Sequence, residues 1–421
     1  MDNLFASLGF ARSHRSLQRC LLLLWVLLVS GCVVNPVTGK TELAALPDAQ
    51  IEAQAAEQYG PVQQIQGGPY TLDANLTAYV NRIGSRLGVS SGVRLPYEFV
   101  IVNDSSVNAW ALPGGKIGIN RGLLMMMENE AELAAVLAHE VAHAAARHGH
   151  QRANRAFLSE GLWALANAGL QVAGVESGGE FVGVARQAAS VFGLTYSRDA
   201  EREADFYGTE FMARAGYNPA AAVSLQQKFV AMSGGGQVPY FLRSHPTSQE
   251  RVDNNQRRAR ELVSSGYGGG RLGAAEYQRA TAQLRRHADA YELYDDAQGL
   301  YREKQYNDAL LLVDEAISAY VAEGLFHGLR GSVLLAQDRL AEAIRSFDAA
   351  ISRNPNYYAL YLGRGVAQHR RGDFTASERD LSRSVRLLST STAYEVLAAI
   401  AQARGDTTAA EEYSRRAANF R

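Results

Sequence analysis

Two cysteines in 421 residues leave no basis for a disulfide framework, so stability must come from an apolar core or a bound metal. Charge of one sign is equally scarce. The 42 basic and 43 acidic residues leave a formal charge of -1, which excludes a nucleic-acid surface or a polyanionic partner recognised by bulk charge. Long hydrophobic runs are missing too. Cys20 to Val29 is too short to span a bilayer, and Ala156 to Val175 is interrupted by Glu160, Asn167 and Gln171. The latter reads as a core helix. Apolar material is otherwise plentiful, at 47% hydrophobic against 20% charged, and the length suffices for two or three folded domains.

The amino terminus bears on compartment. Arg12, His14, Arg15 and Arg19 precede the apolar run and give residues 1–31 the layout of an export signal. Val29-Ser30-Gly31-Cys32 resembles a bacterial lipobox, which implies that Cys20 leaves with the signal and Cys32 becomes the lipidated first residue. Val33 follows, not the aspartate that resembles an inner-membrane retention signal. The expectation is a periplasmic protein held by its lipid at the outer membrane.

The chemistry centres on His139-Glu140-Val141-Ala142-His143. Histidines four apart on a helix share a face one turn apart, so both imidazoles can reach one ion. Glu130 to Arg147 contains no glycine or proline and reads as the helix that holds them in register. This is the His-Glu-x-x-His pattern of zinc peptidases, in which the glutamate is the general base. One Zn2+ per chain is expected, with His139 and His143 as ligands and Glu140 as catalyst.

A third ligand must come from elsewhere. Position 146 is alanine and 149 is glycine, so the metzincin spacing is absent, and His148 and His150 are read as helix-end or surface histidines. Downstream, Ser197 to Asp205 lies in a helical stretch that stops at Gly216. Glu201 and Asp205 share one face of it while Glu203 points away. Glu201 is therefore assigned as ligand, Asp205 as acceptor for the free ring nitrogen of a zinc histidine, and Glu203 as a solvated or ion-paired carboxylate.

Upstream, helices are expected from Pro47 to about Gln64 and from about Leu72 to Leu87, followed by strands at Tyr97 to Val102, Asn108 to Leu112 and Lys116 to Asn120. Lys116, Ile117, Gly118 and Ile119 form the candidate sheet edge on which a substrate would lie as an added strand. Ser177-Gly178-Gly179 breaks the chain before a helix around Phe181 to Phe192.

Taken together, Asn108-Ala-Trp-Ala-Leu-Pro-Gly-Gly, the His139 motif, Ser197-Arg with Glu201 and Asp205, and Ser244-His245-Pro246 resemble the HtpX/BepA type of zinc metallopeptidase over roughly residues 33 to 262. The resemblance implies a compact, mostly helical zincin with a small β-sheet. It also implies endopeptidase action on misfolded or stalled envelope proteins. The transmembrane helices of HtpX-type members are absent, which argues against inner-membrane substrates. In related zincins a group from the His245 region faces the metal. His245 is accordingly a candidate fourth ligand that must swing away before cleavage, or else a donor to the tetrahedral intermediate; a capping role is the plain alternative.

Beyond the Gly/Ser-rich residues 264–272 the chain repeats. Gly331, Ala343, Phe347, Ala350 and Pro355 occupy the positions of a tetratricopeptide repeat of about 34 residues. The pattern returns one period upstream at Ala297, Ala309, Val313 and Ala316, and downstream at Gly365 and Leu381. The last copy fits only with one residue dropped. The expected organisation is a signal (1–31), a metallopeptidase domain (32–263), a linker (264–272) and an α-solenoid (273–421). Its concave face would take substrates or outer-membrane assembly machinery, with Tyr357, Tyr358 and Tyr361 as candidate contacts. The competing reading is a repeat adaptor with a vestigial metal site. A complete set of His139, Glu140, His143 and Glu201 weighs against it, because folding has no use for Glu140.

Overall fold

The computed structural model describes residues 31–159, 196–234 and 239–420. Residues 1–30 of the signal, most of the apolar 156–175 run, the 177–179 break and the 181–192 helix lie outside these. Among the described residues no helix is long and apolar enough to cross a membrane. The chain begins with a short antiparallel hairpin, β1 (Cys32–Val34) and β2 (Thr41–Leu43), whose turn is built by Asn35: its side chain accepts from the backbone of Val37 and Thr38.

Helices α1 (Asp48–Ile65) and α2 (Ala74–Ser90) follow, the second capped by the Asp73 carboxylate on the Leu76 amide. They lead into a three-stranded sheet of β3 (Glu98–Val102), β4 (Ala109–Leu112) and β5 (Lys116–Asn120). Gly84 and Gly88 leave room for the Phe99 and Tyr97 rings to press on α2; a Cβ at Gly84 would meet Phe99 at 2.5 Å. Strand order is β3-β5-β4, with β3 parallel and β4 antiparallel to β5. The assignment of Lys116 to Ile119 as the sheet edge is therefore wrong. Both sides of β5 are already paired, so it cannot accept another strand. The strands at the edges are β3 and β4, and β4 is the one that packs on the metal helix.

After α3 (Arg121–Met126) comes the wholly buried α4 (Glu130–Ala145), capped by Asn129. Two residues past its end, Arg147 with a φ of 59° turns the chain before a second helical stretch over residues 148–159. Helix α5 (Arg198–Arg214) crosses α4 closely at Gly208, where a Cβ would lie 3.0 Å from the Ala138 carbonyl oxygen and 3.1 Å from His139 Cα. Helices α6 (Ala220–Ser233), α7 (Tyr240–Ser244) and α8 (Gln249–Leu262) close this half of the molecule.

The segment expected as a linker is pinned at its end. Leu272 accepts from the Ala131 amide at the start of α4, and Arg271 pairs with the buried Glu130. Two short helices follow, α9 (Ala274–Ala280), which packs against α2 and α4, and α10 (Ala282–Arg286); Tyr277 donates to the Leu124 carbonyl of α3 at 2.6 Å. The solenoid comprises α11 (Ala288–Arg302), α12 (Tyr306–Ala319), α13 (Gly324–Ala336), α14 (Leu340–Arg353), α15 (Tyr358–Arg370), α16 (Phe374–Leu387), α17 (Ser391–Ala403) and α18 (Thr407–Ala418). The second helices of successive hairpins start at Tyr306, Leu340 and Phe374, a spacing of 34, and then at Thr407, one residue short.

One apolar core joins the two halves, running from Leu76 and Ile83 through Tyr277 and Tyr291 to Phe326. Around it, Arg121 stacks on Tyr291 with the guanidinium carbon 3.4 Å from the ring centre, and Glu323 accepts from both Asn103 (2.9 Å) and Tyr291 (2.7 Å). Tyr357 lies against Gly68, and the Tyr358 amide donates to Gln64. Those two tyrosines thus serve docking of the solenoid.

Candidate metal centre

Helix α4 presents His139 and His143 from one face, with their Nε2 atoms 3.0 Å apart. Helix α5, brought close by Gly208, adds Glu201, whose Oε1 lies 3.3 Å from His143 Nε2 and Oε2 3.5 Å from His139 Nε2. From the end of α7 comes His245. Its Nδ1 lies 2.9 Å from Glu201 Oε1 and 3.4 Å from His139 Nε2. All four side chains are buried, and one donor atom from each falls within 4.8 Å of the others, an arrangement that can close on a single metal ion. The sequence-assigned residues thus converge, and His245 joins them.

The surroundings explain how so many polar groups can be buried. His139 Nδ1 faces Asp205 Oδ1 at 3.1 Å, and Arg251 grips Asp205 through Nε (2.6 Å) and Nη2 (2.8 Å) while its Nη1 reaches Glu201 Oε2 at 2.8 Å. Burial alone would raise both carboxylates, but the Arg251 and histidine charges hold Asp205 and Glu201 ionised, with Glu201 well below the usual carboxylate range. Burial keeps His143 neutral, as a ligand must be. It also pushes Glu140 up, against His245 and His139. Both Glu140 oxygens are buried without a hydrogen-bond partner among the described residues; His245 Nε2 lies 3.7 Å from Oε1, so the carboxylate keeps its hydrogen-bonding capacity for a molecule entering the site.

Three contributors escaped the sequence. Arg251 carried no signal, since a lone arginine in a polar helix reads as surface. Tyr196 stacks on the His143 ring at 3.9 Å between centroids and donates to the Ala111 carbonyl at 3.4 Å. His148, read as a helix-end or surface histidine, does follow the helix end but is 2% exposed, with Nδ1 2.8 Å from His143 Nδ1; His150 is buried as well. The reason is the break at Arg147, which turns His148 back toward the metal helix. Glu203 is ion-paired as expected, to Lys40. Its hydrogen bond to His148, with that to Lys40, brings its pKa to about 2 against some burial.

Two imidazoles from one helix, a carboxylate from a second helix and a buried glutamate with no hydrogen-bond partner among the described residues define a zincin-type centre. In agreement, the profile of peptidase family M48 matches residues 74–259, and that of the tetratricopeptide repeat matches 294–357 and 329–391. The chain carries an M48 peptidase domain followed by tetratricopeptide repeats. It is similar to the beta-barrel assembly-enhancing protease of Yersinia pestis, at 27% identity over 71% of this chain and 66% of that one. A putative protein of the same name from Vibrio cholerae is 31% identical over 46% of this chain and 41% of its own length. The mitochondrial metalloendopeptidase OMA1 of Schizosaccharomyces pombe is 36% identical over 42% and 51%. The chain thus spans between about two fifths and two thirds of the length of these relatives.

Proposed function

We propose that this chain is a zinc-dependent endopeptidase of the bacterial envelope that hydrolyses misfolded or stalled outer-membrane proteins. The carrying observation is the buried set His139, His143 and Glu201 beside Glu140, whose oxygens have no hydrogen-bond partner among the described residues. Zinc suits the donors: bonds of about 2.0–2.1 Å to a tetrahedral ion put ligand atoms about 3.3 Å apart, close to the 3.0 to 3.5 Å spacings here. When bound, zinc supplies Lewis acidity, polarising the scissile carbonyl and bringing the pKa of a water to about 7. Glu140, made more basic by burial, takes the proton from the attacking water and passes it to the leaving amine. Asp205 keeps the His139 ring oriented, and Arg251 keeps Asp205 and Glu201 charged.

The substrate backbone is taken along β4, the edge strand beside α4. That edge is partly covered at rest: the Phe241 amide donates to the Val107 carbonyl, and Tyr196 to that of Ala111. His245 follows α7 directly and closes the donor set, so displacing this segment frees both the fourth position and the strand edge. The resting protein is therefore latent. Cys32, exposed at the start of β1, is the lipidation site that tethers the protein to the outer membrane, and the solenoid engages substrates or the assembly machinery. Zinc-loaded wild type, Glu140→Gln and His245→Ala are to be compared on an unfolded protein substrate. Glu140→Gln should keep its zinc and lose about 100- to 10,000-fold in rate, and His245→Ala should cleave faster than wild type. Unchanged turnover in Glu140→Gln would refute the peptidase mechanism, and a slower zinc-loaded His245→Ala would refute latency.

A further inference from the structure

We propose that His148 decides which nitrogen of His143 faces the metal, with Glu203 fixing His148 and Lys40 of the amino-terminal hairpin holding Glu203. The inference rests on the metal centre proposed above. His143 Nδ1 and His148 Nδ1 lie 2.8 Å apart, so they share one proton, and its owner follows from the next contact. His148 Nε2 lies 3.3 Å from Glu203 Oε2. An ionised carboxylate only accepts, so the His148 proton sits on Nε2 and its Nδ1 offers a lone pair. His143 then donates from Nδ1. Its unprotonated Nε2 is left pointing at Glu201 and His139, where a ligand nitrogen is needed.

The other Glu203 oxygen is occupied by Lys40, which lies in the β1-β2 turn. That hairpin is itself fastened to the end of the metal helix, since Asn35 donates to the Ala146 carbonyl at 2.7 Å. His148 reaches His143 only because the chain turns at Arg147, held there by two 2.7 Å hydrogen bonds to Asp48. In an unbroken helix a residue five positions on would project about 140° away from His143. The two metal histidines are thus supported differently. His139 leans directly on Asp205, whereas His143 leans on the His148 imidazole, itself held by a carboxylate anchored to the chain's first hairpin.

The test uses the full chain, with zinc affinity from chelator competition and the visible spectrum of the cobalt(II) form as readouts independent of cleavage. His148→Phe keeps a ring but removes the acceptor. It should lower zinc affinity about 10- to 100-fold and alter the cobalt spectrum, and His148→Gln, whose amide oxygen can accept, should recover part of the loss. Glu203→Ala, at a partly exposed side chain, should lose several-fold, and Lys40→Ala less. A folded His148→Phe that binds zinc within twofold of wild type with an unchanged cobalt spectrum would overturn the proposal. Should His148→Phe fail to fold, Glu203→Ala decides in its place, and wild-type affinity there is the overturning result. Wild type that binds no zinc would instead remove the metal centre itself, a distinguishable failure.

Discussion

Two helix pairs in this molecule use the same packing device to different ends. In α13 and α14, Gly331 lets the Phe347 ring lie where a Cβ would meet it at 2.9 Å, and one repeat later Gly365 does the same for Leu381 at 2.8 Å. In α4 and α5, Gly208 brings two backbones together, and what the close approach buries is charge: Glu201 and Asp205 against His139 and His143. The repeat closes on neighbours in sequence, and its contacts recur. The metal pair draws Arg251 and His245 from segments that follow it in the chain, and its contacts do not recur.

The sharpest way to break that contrast is to remove the distant partner. Arg251→Ala leaves two buried carboxylates without their cation and is expected to cost about 3–5 kcal/mol, measured by urea unfolding of the metal-free protein. A loss below about 1 kcal/mol would mean the site does not depend on it. Next come the two glycines compared directly. Gly208→Ala and Gly331→Ala should each cost about 1–3 kcal/mol by overpacking, but only Gly208→Ala should also weaken zinc binding. Equal zinc affinity in the two variants would show that the α4-α5 approach does not set the donor geometry. The smallest effect is expected at the junction of the halves. Tyr291→Phe removes one hydrogen bond to Glu323, which Asn103 still satisfies, and should cost about 0.5–1.5 kcal/mol in thermal unfolding with zinc affinity unchanged.

The same contrast explains what could be read from sequence. Helical periodicity is local, so His139 with His143, Glu201 with Asp205, and the repeat positions from Ala297 to Leu381 were legible from spacing alone. Strand order is not local. Lys116 to Ile119 looked like an edge because nothing in the residues themselves says that β3 returns parallel to β5 and occupies its far side. The burial of His148 escapes the sequence for a related reason: a helix end at Arg147 can be read from the residues, but a non-glycine residue at positive φ that folds the next residue back gives no warning. The 264–272 stretch has the composition of a tether, yet Arg271 and Leu272 bind the start of α4 through Glu130 and Ala131, partners far earlier in the chain.

The central claim is that residues from two helices close on one zinc ion, with Glu201 completing what His139 and His143 begin. Metal content by mass spectrometry, after dialysis against a weak chelator, tests it most directly on wild type and Glu201→Gln. The account predicts one zinc per chain in wild type and little or none in the variant; equal zinc in both, or none in either, would contradict it.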